Sequence, residues 1–369
     1  MPDPLKTRVL LIAANEALAA ALAQRPDLEV RTLNRAARRR ADNSAAFKEV
    51  DSGVDYVYGS KLSFYGVQSV REAIRRVKPD VVHAFLPRSL AHTVLAVKAS
   101  FMRPQIVSYR GITSRALRWD PVQWITYHSS LVAAHACESE AVRQALVTSG
   151  VAADRCELVY NCLDRPIVPQ PRDAVRDAWG VPRDSFVVAT VANMRPVKGM
   201  DLLLRAAAEC ADLGDVYWVL MGEARDARLK SLASDPRIAD RVRMTGFRSD
   251  ASEMVAASDV FVMPSRAEAL CRALLEAMSL GVCPLVSDAG GMKEAVRHGV
   301  DGLVVPREDI ASLASAMRTL CANRAKAREF GESARRRIAE DFSVDAMADR
   351  CAGVYRRAMG VKKEAARAA

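Results

Sequence analysis

The sequence predicts an α/β protein of two domains, each built on a parallel sheet that helices cover on both faces. Its 369 residues are enough for two domains of ordinary size. Short apolar runs recur along the chain and alternate with amphipathic stretches of helical length. Apolar runs without polar alternation are typical of strands buried on both faces, and their alternation with helices indicates parallel sheets. A proline-rich break separates two such series.

Each half of the chain contains six predicted strands. In the first half these are residues 8–12, 29–33, 81–84, 105–108, 131–136 and 158–160. In the second half they are residues 186–191, 216–221, 242–245, 260–263, 284–287 and 303–305. Helices are predicted between the strands, including residues 202–210 and 272–280, and apolar spacing after Asp341 predicts another helix at the C-terminal end.

The break between the halves is the segment Arg165–Arg172, which has three prolines in six residues. Prolines fix φ and remove backbone donors, so this segment is predicted to be a semi-rigid linker. Two sheets joined in this way would face one cleft. In open parallel sheets, ligands bind outside the carboxyl ends of the strands.

Composition and charge narrow the classes of partner. The net charge of +10 and a pI near 9.3 favour anionic partners such as nucleic acid, anionic lipid or phosphorylated small molecules. Aromatic residues make up only 6% of the chain, which disfavours nucleic acid. The eight cysteines include no Cys-x-x-Cys pair and the five histidines show no ligand spacing. Reduced thiols and no metal site are therefore expected.

The relation of the chain to membranes has two interpretations. No apolar run approaches the roughly 20 residues that cross a bilayer, so we expect a cytoplasmic protein. The basic cluster Arg38, Arg39 and Arg40 is either a solvated loop or a surface that docks on anionic lipid head groups. Such docking contributes roughly 1 kcal/mol per positive charge. The second interpretation would place the protein on the inner face of the cytoplasmic membrane.

Two glutamates, Glu268 and Glu276, frame the passage from the strand 260–263 into the next helix. Glu268 follows the carboxyl end of the strand, where its carboxylate can accept strong hydrogen bonds from sugar hydroxyls. If the whole segment is helical, the two lie about 12 Å apart. Paired acid–base work in retaining glycosidases needs about 5 Å, so the spacing favours binding at two points. Considered alone, the pair also fits two solvated helix residues.

Two further motifs suit phosphate. Gly290 and Gly291 follow the strand 284–287 and open a helix, where backbone N–H groups can approach an anion. Arg195 and Lys198 follow the strand 186–191 at the same edge of the sheet, where two cations can neutralise a diphosphate leaving group. Each motif alone also fits an ordinary turn.

Taken together, these segments resemble the nucleotide-binding half of the family 4 retaining glycosyltransferases (glycosyltransferase group 1). That family has the GT-B fold, with two Rossmann-like domains facing a cleft. The resemblance covers roughly Phe186–Pro306, with motifs such as Arg-Pro-Val-Lys-Gly at 195–199 and Val-Arg-Met-Thr-Gly-Phe at 242–247. The first half is similar more loosely, through Cys137–Val142 and Val159–Asp164.

The resemblance implies a domain plan. An N-terminal acceptor-binding domain would span residues 1–165, and a donor-binding domain would span residues 166–343. The C-terminal helix, residues 344–369, would return to pack on the first domain.

The resemblance also implies a metal-independent enzyme of the hexosyltransferase type. Lys198 and Arg195 would bind the donor diphosphate, and Glu268 would hold the hydroxyls of the donor sugar; these three are the expected catalytic residues. Glu276 would hold the ribose hydroxyls. The other expected donor-binding residues are Asn193, Gly222, Phe247, Arg248, Leu270, Cys271, Arg272, Gly290 and Gly291. No cofactor is expected beyond the nucleotide-sugar co-substrate, for which a UDP-sugar is preferred.

The sequence departs from the family pattern at four places. Asn193 stands where the family often has an arginine, and Ala269 replaces the glycine after the first glutamate. In the first half, Ala13–Glu16 replaces a glycine-rich loop, and Arg110 takes the place of a histidine. Because the last two concern the acceptor side, the acceptor residues are open. The candidates are His83, expected to point toward the cleft from a buried strand, and Arg88 and Arg110.

The expected acceptor is a saccharide or a lipid-linked saccharide of the lipopolysaccharide-core, glycolipid or exopolysaccharide type. Three alternatives stay open. Two are enzymes, a pyridoxal-dependent phosphorylase and a nucleotide-sugar epimerase of the same fold. The third is a sugar-nucleotide-binding regulator or assembly partner with a degenerate acceptor site.

Overall fold

The computed structural model describes residues 6–34, 50–57, 59–116 and 119–368, with side chains described up to residue 360. The chain divides into two compact units, Met1–Asp164 with Ser343–Ala369, and Arg165–Phe342. The basic cluster Arg38–Arg40 lies outside the described residues. Within the described part, every helix is too short or too polar to span a bilayer.

The first unit contains a six-stranded parallel sheet in the order β2-β1-β3-β4-β5-β6. The strands are β1 (Thr7–Ile12), β2 (Leu28–Leu33), β3 (Val81–Ala84), β4 (Gln105–Arg110), β5 (Val132–Cys137) and β6 (Cys156–Leu158). The α-helices between them are α1 (Glu16–Ala23), α2 (Phe64–Val77), α3 (Pro87–Lys98), α4 (Pro121–Thr126) and α5 (Glu140–Thr148).

The second unit contains another six-stranded parallel sheet, in the order β12-β11-β10-β7-β8-β9. Its strands are β7 (Phe186–Val191), β8 (Val216–Met221), β9 (Val242–Gly246), β10 (Val260–Met263), β11 (Cys283–Ser287) and β12 (Leu303–Val305). Its helices are α6 (Arg172–Trp179), α7 (Met200–Glu209), α8 (Ala227–Ala233), α9 (Ala251–Met254), α10 (Arg272–Ser279), α11 (Met292–Ala295), α12 (Ile310–Ala322) and α13 (Arg324–Asp341).

The last helix, α14 (Val344–Ala368), packs on the first unit against α1, β4 and β5. Met347, Cys351 and Tyr355 of this helix are buried in one core with Leu18 and Leu22 of α1. The predicted return of the C-terminal helix to the first domain is therefore confirmed, as is the parallel α/β fold.

One predicted strand is displaced. Residues 158–160 were expected to pair, but β6 ends at Leu158. Cys156–Leu158 pairs with His135–Cys137 of β5. Val159 is fully buried beyond the end of the strand. In the sequence, Val159 continues the apolar run of β6, and for this reason the predicted strand extends beyond Leu158.

Both sheets have a point where the strand order reverses. In the second unit the chain builds β7-β8-β9 in one direction and then β10-β11-β12 in the other, so the reversal lies between β7 and β10. In the first unit it lies between β1 and β3. Loops that leave neighbouring strands in opposite directions open a crevice there, and open α/β sheets bind ligands in that crevice.

Candidate functional site

The residues Lys198 and Glu268 meet at the reversal point of the second sheet. Lys198 ends a short 3₁₀ turn after β7, and Glu268 lies in the loop between β10 and α10. The Lys198 ammonium donates to Glu268 Oε1, which also accepts a 3.2 Å hydrogen bond from the Ser265 hydroxyl. The two side chains are only 17% and 11% exposed. In the described part of the chain, Glu268 Oε2 has no hydrogen-bond partner, so it can accept from a ligand.

Two glycines hold neighbouring loops against the Glu268 loop. A Cβ at Gly199 would lie 2.0 Å from the Pro264 carbonyl oxygen, and a Cβ at Gly290 would lie 1.8 Å from the Glu268 carbonyl oxygen. Both have positive φ, +70° and +54°. Only glycine accepts such an approach in that conformation. The loops after β7, β10 and β11 are therefore in direct backbone contact.

Arg266, which no local sequence pattern indicates, links the loop after β10 to the turn after β7. Its guanidinium donates two hydrogen bonds of 2.8 and 2.9 Å to Asp201 and one of 2.6 Å to the Pro196 carbonyl. The Arg266 hydrogen bonds hold the pKa of Asp201 below its usual range. Bidentate pairs of this kind fix geometry as well as charge. Arg266 is therefore a positioning residue for the turn that carries Lys198.

A cavity of about 630 Å³ opens beside this turn, at the carboxyl ends of β7, β8 and β9. This volume is within the range of small-molecule sites. Arg195 and Asn193 lie on its wall and are joined by a 3.3 Å hydrogen bond. Of the residues expected at the donor site, the cavity is lined by Asn193, Arg195, Gly222, Phe247 and Arg248. The structure thus brings these five together, with Phe247 79% exposed.

Glu276 lies on α10, and its carboxylate already has partners. Ser252 Oγ donates to it at 2.7 Å, and Arg272 Nε donates at 2.9 Å. An ionised carboxylate has about four acceptor sites, so ribose hydroxyls could still bind. The helix begins only at Arg272. Its start agrees with the predicted helix 272–280, so Glu268 lies in a loop and the condition on which the 12 Å separation depended, a continuous helix, is not met.

The start of α10 can contact a ligand through backbone N–H groups rather than through side chains. Leu270 and Cys271 are buried. Burial, together with the charge of Glu268, raises the pKa of Cys271 to about 12 and keeps its thiol neutral. No side chain caps the helix at Cys271. Uncapped N–H groups at a helix start are suited to bind phosphate.

His83 is not available to an acceptor. It lies inside β3, fully buried, and shares a 2.8 Å hydrogen bond through Nδ1 with the hydroxyl of Tyr355 on α14. Burial lowers the pKa of His83 to about 3. The expectation that it points out of the sheet toward a ligand is wrong, because α14 covers that face.

The two arginines expected on the acceptor side differ in accessibility. Arg110 is 2% exposed, donates to the Ser114 carbonyl and lies 4.4 Å from the centre of the Tyr127 ring. It therefore packs inside the first unit. Arg88 is exposed on the first turn of α3, next to the reversal point of the first sheet. Of the three candidates, only Arg88 is open to a ligand.

Among the residues that the structure describes, no group of three His, Cys, Asp or Glu side chains is arranged so that it could hold a metal ion. All eight cysteines are free thiols.

Two family models match the chain. The model described as glycosyltransferase family 4 matches residues 15–165, and the model described as glycosyl transferases group 1 matches residues 171–337. Among curated proteins, D-inositol 3-phosphate glycosyltransferase 1 of Catenulispora acidiphila is 30% identical over 230 residues. That match covers 58% of this chain and 55% of the relative. The chain thus spans about half the length of the curated relatives it matches.

Solved structures share the fold over nearly the whole chain. A glycosyltransferase from Rickettsia africae superposes with a TM-score of 0.75 at 17% identity, covering 96% of this chain and 99% of that one. The Anabaena protein Alr3699/HepE, solved in complex with UDP and glucose, has a TM-score of 0.71 at 20% identity. That match covers 94% of this chain and 98% of the Anabaena chain.

Proposed function

Because the chain belongs to the group 1, family 4 glycosyltransferases with the GT-B fold, we propose that it transfers a sugar from a nucleotide-sugar donor with retention of configuration. The observation that carries the proposal is the Lys198–Glu268 pair at the reversal point of the second sheet. A cavity large enough for a nucleoside lies beside the turn that holds Lys198.

The proposed donor site has a basic side and an acidic side. Lys198 and Arg195 would neutralise the nucleoside diphosphate as its bond to the sugar breaks, which lowers the free energy of the transition state. Glu268 Oε2 would accept from the sugar hydroxyls, and Glu276 from the ribose. The exposed ring of Phe247 and the wall at Gly222 would contact the base. No residue is required to hold a metal.

The proposed donor is a UDP-sugar. The Anabaena structure contains UDP and glucose, and it shares this fold. The proposed acceptor is a saccharide or a lipid-linked saccharide of the cell envelope, and with a lipid-linked acceptor the protein would work at the inner face of the cytoplasmic membrane.

A thermal-shift series with UDP-, GDP-, ADP- and TDP-sugars tests the donor. A ligand at 100 times its Kd stabilises the native state by about 2.7 kcal/mol, so the correct donor should raise the unfolding midpoint while the others leave it unchanged. Calorimetry of UDP with Lys198→Ala should show weaker binding than with the control Lys326→Ala, a surface lysine that pairs with Glu329. Equal affinity for the two variants would remove Lys198 from the site.

One alternative has an observation in its favour. His83 and Arg110 are buried, so the first unit presents few of the expected acceptor residues. A sugar-nucleotide-binding regulator would bind the donor but release no UDP with any envelope saccharide or lipid-linked acceptor. Donor binding with acceptor-dependent UDP release supports the transferase, and donor binding without it supports the regulator.

A further inference from the structure

Another cavity lies in the second unit, at the edge of the sheet opposite to Lys198 and Glu268. Its volume is about 470 Å³, within the range of sites for small organic ligands. Its wall includes the residues that directly precede β7, β10 and β11, together with the first turns of α6 and α13. Because β7 is six residues long, this cavity lies about 20 Å from the turn that carries Lys198. The donor site therefore does not account for it.

Guanidinium groups dominate the lining of this cavity, which we call the amino-edge cavity. Five arginines line it against two aspartates. They are Arg172, Arg176, Arg183, Arg324 and Arg328, with Asp184 and Asp259. An excess of positive charge around one cavity favours an anion, and the planar guanidinium matches the oxygens of a phosphate group.

Arg176 is part of the fold rather than a free donor. Its side chain is fully buried and donates to Asp259 at 2.9 Å. It also donates to three backbone carbonyls, those of Ala257, Arg183 and Ser185, at 3.0, 2.6 and 2.8 Å. These bonds fix the segments that precede β7 and β10, which form one wall of the cavity.

Three arginines keep donors for a ligand. Arg172 is exposed and uses Nη2 to donate to Asp259 at 2.8 Å, while its Nε and Nη1 have no partner among the described residues. Arg324 donates through Nη1 to the Asp184 carbonyl and through Nη2 to Asp215, which leaves its Nε. The exposed guanidinium of Arg328 has no hydrogen-bond or ion-pair partner in the part of the chain that the structure describes.

The helix that carries Arg324 and Arg328 is held in place by a close backbone contact. A Cβ at Gly331 of α13 would lie 1.9 Å from the Gly281 carbonyl oxygen, so the helix touches the turn before β11. Helix α13 also contacts α10 and β11. The two guanidinium groups therefore start from a fixed helix, and less ordering is needed when a ligand binds.

We propose that the amino-edge cavity is a second anion-binding site of this chain, and that it takes a small phosphorylated compound. The phosphate oxygens accept hydrogen bonds from Arg172, Arg324 and Arg328. The proposal goes beyond sugar transfer and does not depend on it, because the two cavities share no lining residue.

Calorimetry with pyrophosphate tests the site. The full chain is titrated with saturating UDP present, so that the phosphate groups of the donor site are already occupied, and again without UDP. We expect one pyrophosphate to bind per chain when UDP is present. Inorganic phosphate and sulfate at the same ionic strength should bind about tenfold more weakly or less, because each meets fewer of the guanidinium groups.

Two variants assign this binding to the cavity. Arg328→Gln and Arg172→Gln should each weaken pyrophosphate binding about tenfold or more. The fold should survive Arg172→Gln, since Asp259 keeps its bond from Arg176. Unchanged thermal midpoints and UDP affinity check that both variants fold. If UDP does not bind to the wild type, the two variants still identify the cavity, so this proposal and the proposed function fail separately.

Two further variants serve as controls of sign and place. Arg335→Gln changes an exposed arginine on the same helix, which pairs with Glu332 at 2.8 Å, and should bind pyrophosphate as the wild type does. Asp184→Asn removes a carboxylate from the lining and should tighten pyrophosphate binding about twofold or more.

Three results would overturn the proposal. The first is that the chain takes up no pyrophosphate once UDP is bound. The second is that Arg172→Gln and Arg328→Gln bind pyrophosphate as tightly as Arg335→Gln does. The third is that sulfate binds as tightly as pyrophosphate, which would make any anion in the cavity adventitious.

Discussion

The two units share a sheet plan but differ at the carboxyl edges of their sheets. In the second unit, glycines and ion pairs fix three loops around Glu268. In the first unit, the corresponding loop after β1 begins with Ala13 at a φ of +59°, and exposed aromatic side chains follow β2 and β4. Close backbone contacts and an ion pair hold the loops at one edge, and the other edge carries exposed apolar side chains.

The difference indicates that two units with the same sheet plan are suited to different kinds of ligand. A site for a charged donor gains from side chains held in place before binding, since less ordering is then needed in the transition state. A surface for an acceptor or a membrane gains more from exposed apolar area. If this contrast is correct, the close loop contacts of the second unit and the backbone strain at Ala13 in the first should each have a measurable effect on stability or turnover.

The largest expected effect is on the stability of the second unit through Gly290. Gly290→Ala adds a Cβ 1.8 Å from a backbone oxygen at a φ of +54°. Conformational strain and the forced loop shift should together lower the free energy of unfolding by about 2–4 kcal/mol. The control is Gly299→Ala, which has a φ of +74° but nothing within 4 Å. It should cost only about 1 kcal/mol. Urea unfolding measures both, and equal losses would contradict the close contact.

The second effect is on turnover through Glu268. Glu268→Gln removes the charge that pairs with Lys198 while the shape of the side chain is kept. We expect turnover to fall at least tenfold, about 1.4 kcal/mol in the activation barrier, with the fold intact. The control Glu329→Gln changes a surface glutamate that pairs with Lys326. Steady-state UDP release measures both, and a wild-type rate for Glu268→Gln would exclude it from the reaction.

The contrast also explains what the sequence could predict. The strands and the donor loops are local patterns, and Lys198, Glu268 and Gly290 could be placed at one sheet edge from their order alone. The Arg266–Asp201 clamp joins residues 65 positions apart, and no local pattern indicates that pair. The burial of His83 depends on Tyr355, which is 272 positions away. The sequence predicts that α14 returns but not which face of the sheet it covers.

The third effect is on acid stability, which should differ between the units. Burial lowers the pKa of His83 and of His135, both in the first unit, from 6.5 to about 3. Each therefore takes up a proton on unfolding. Their neutral forms stabilise the fold above pH 6.5, and that stability is lost as the pH falls from 6.5 toward 3. The slope is up to about 1.4 kcal/mol per pH unit for each histidine.

Hydrogen exchange at pH 7, 6 and 5 resolves the two units. The first unit should lose protection sooner, because the single histidine of the second unit, His298, is exposed. His83→Gln should weaken the pH dependence of hydrogen-exchange protection in the first unit and leave that of the second unit unchanged. If both units lose protection in parallel in the wild type and in the variant, the buried histidines do not determine the pH at which the first unit loses stability.

The smallest expected effect is an increase in the stability of the first unit when Ala13 is replaced by glycine. A left-handed conformation costs a non-glycine residue about 1–2 kcal/mol, part of which is offset by the greater unfolded-state entropy of glycine. Ala13→Gly should therefore raise the free energy of unfolding by about 0.5–1 kcal/mol. The neighbouring Ala14 is buried and has no positive φ. Ala14→Gly should instead cost about 1 kcal/mol.

Opposite signs at adjacent alanines, measured by urea unfolding, would show that strain resides at Ala13 itself. Gly290→Ala and Ala13→Gly then form a pair: glycine is required where the loops after β10 and β11 are in backbone contact, and an alanine with positive φ is tolerated, with strain, in the loop after β1. A loss of stability in Ala13→Gly would mean that the loop after β1 is as tightly determined as the loops around Glu268, and the contrast between the two edges would fail.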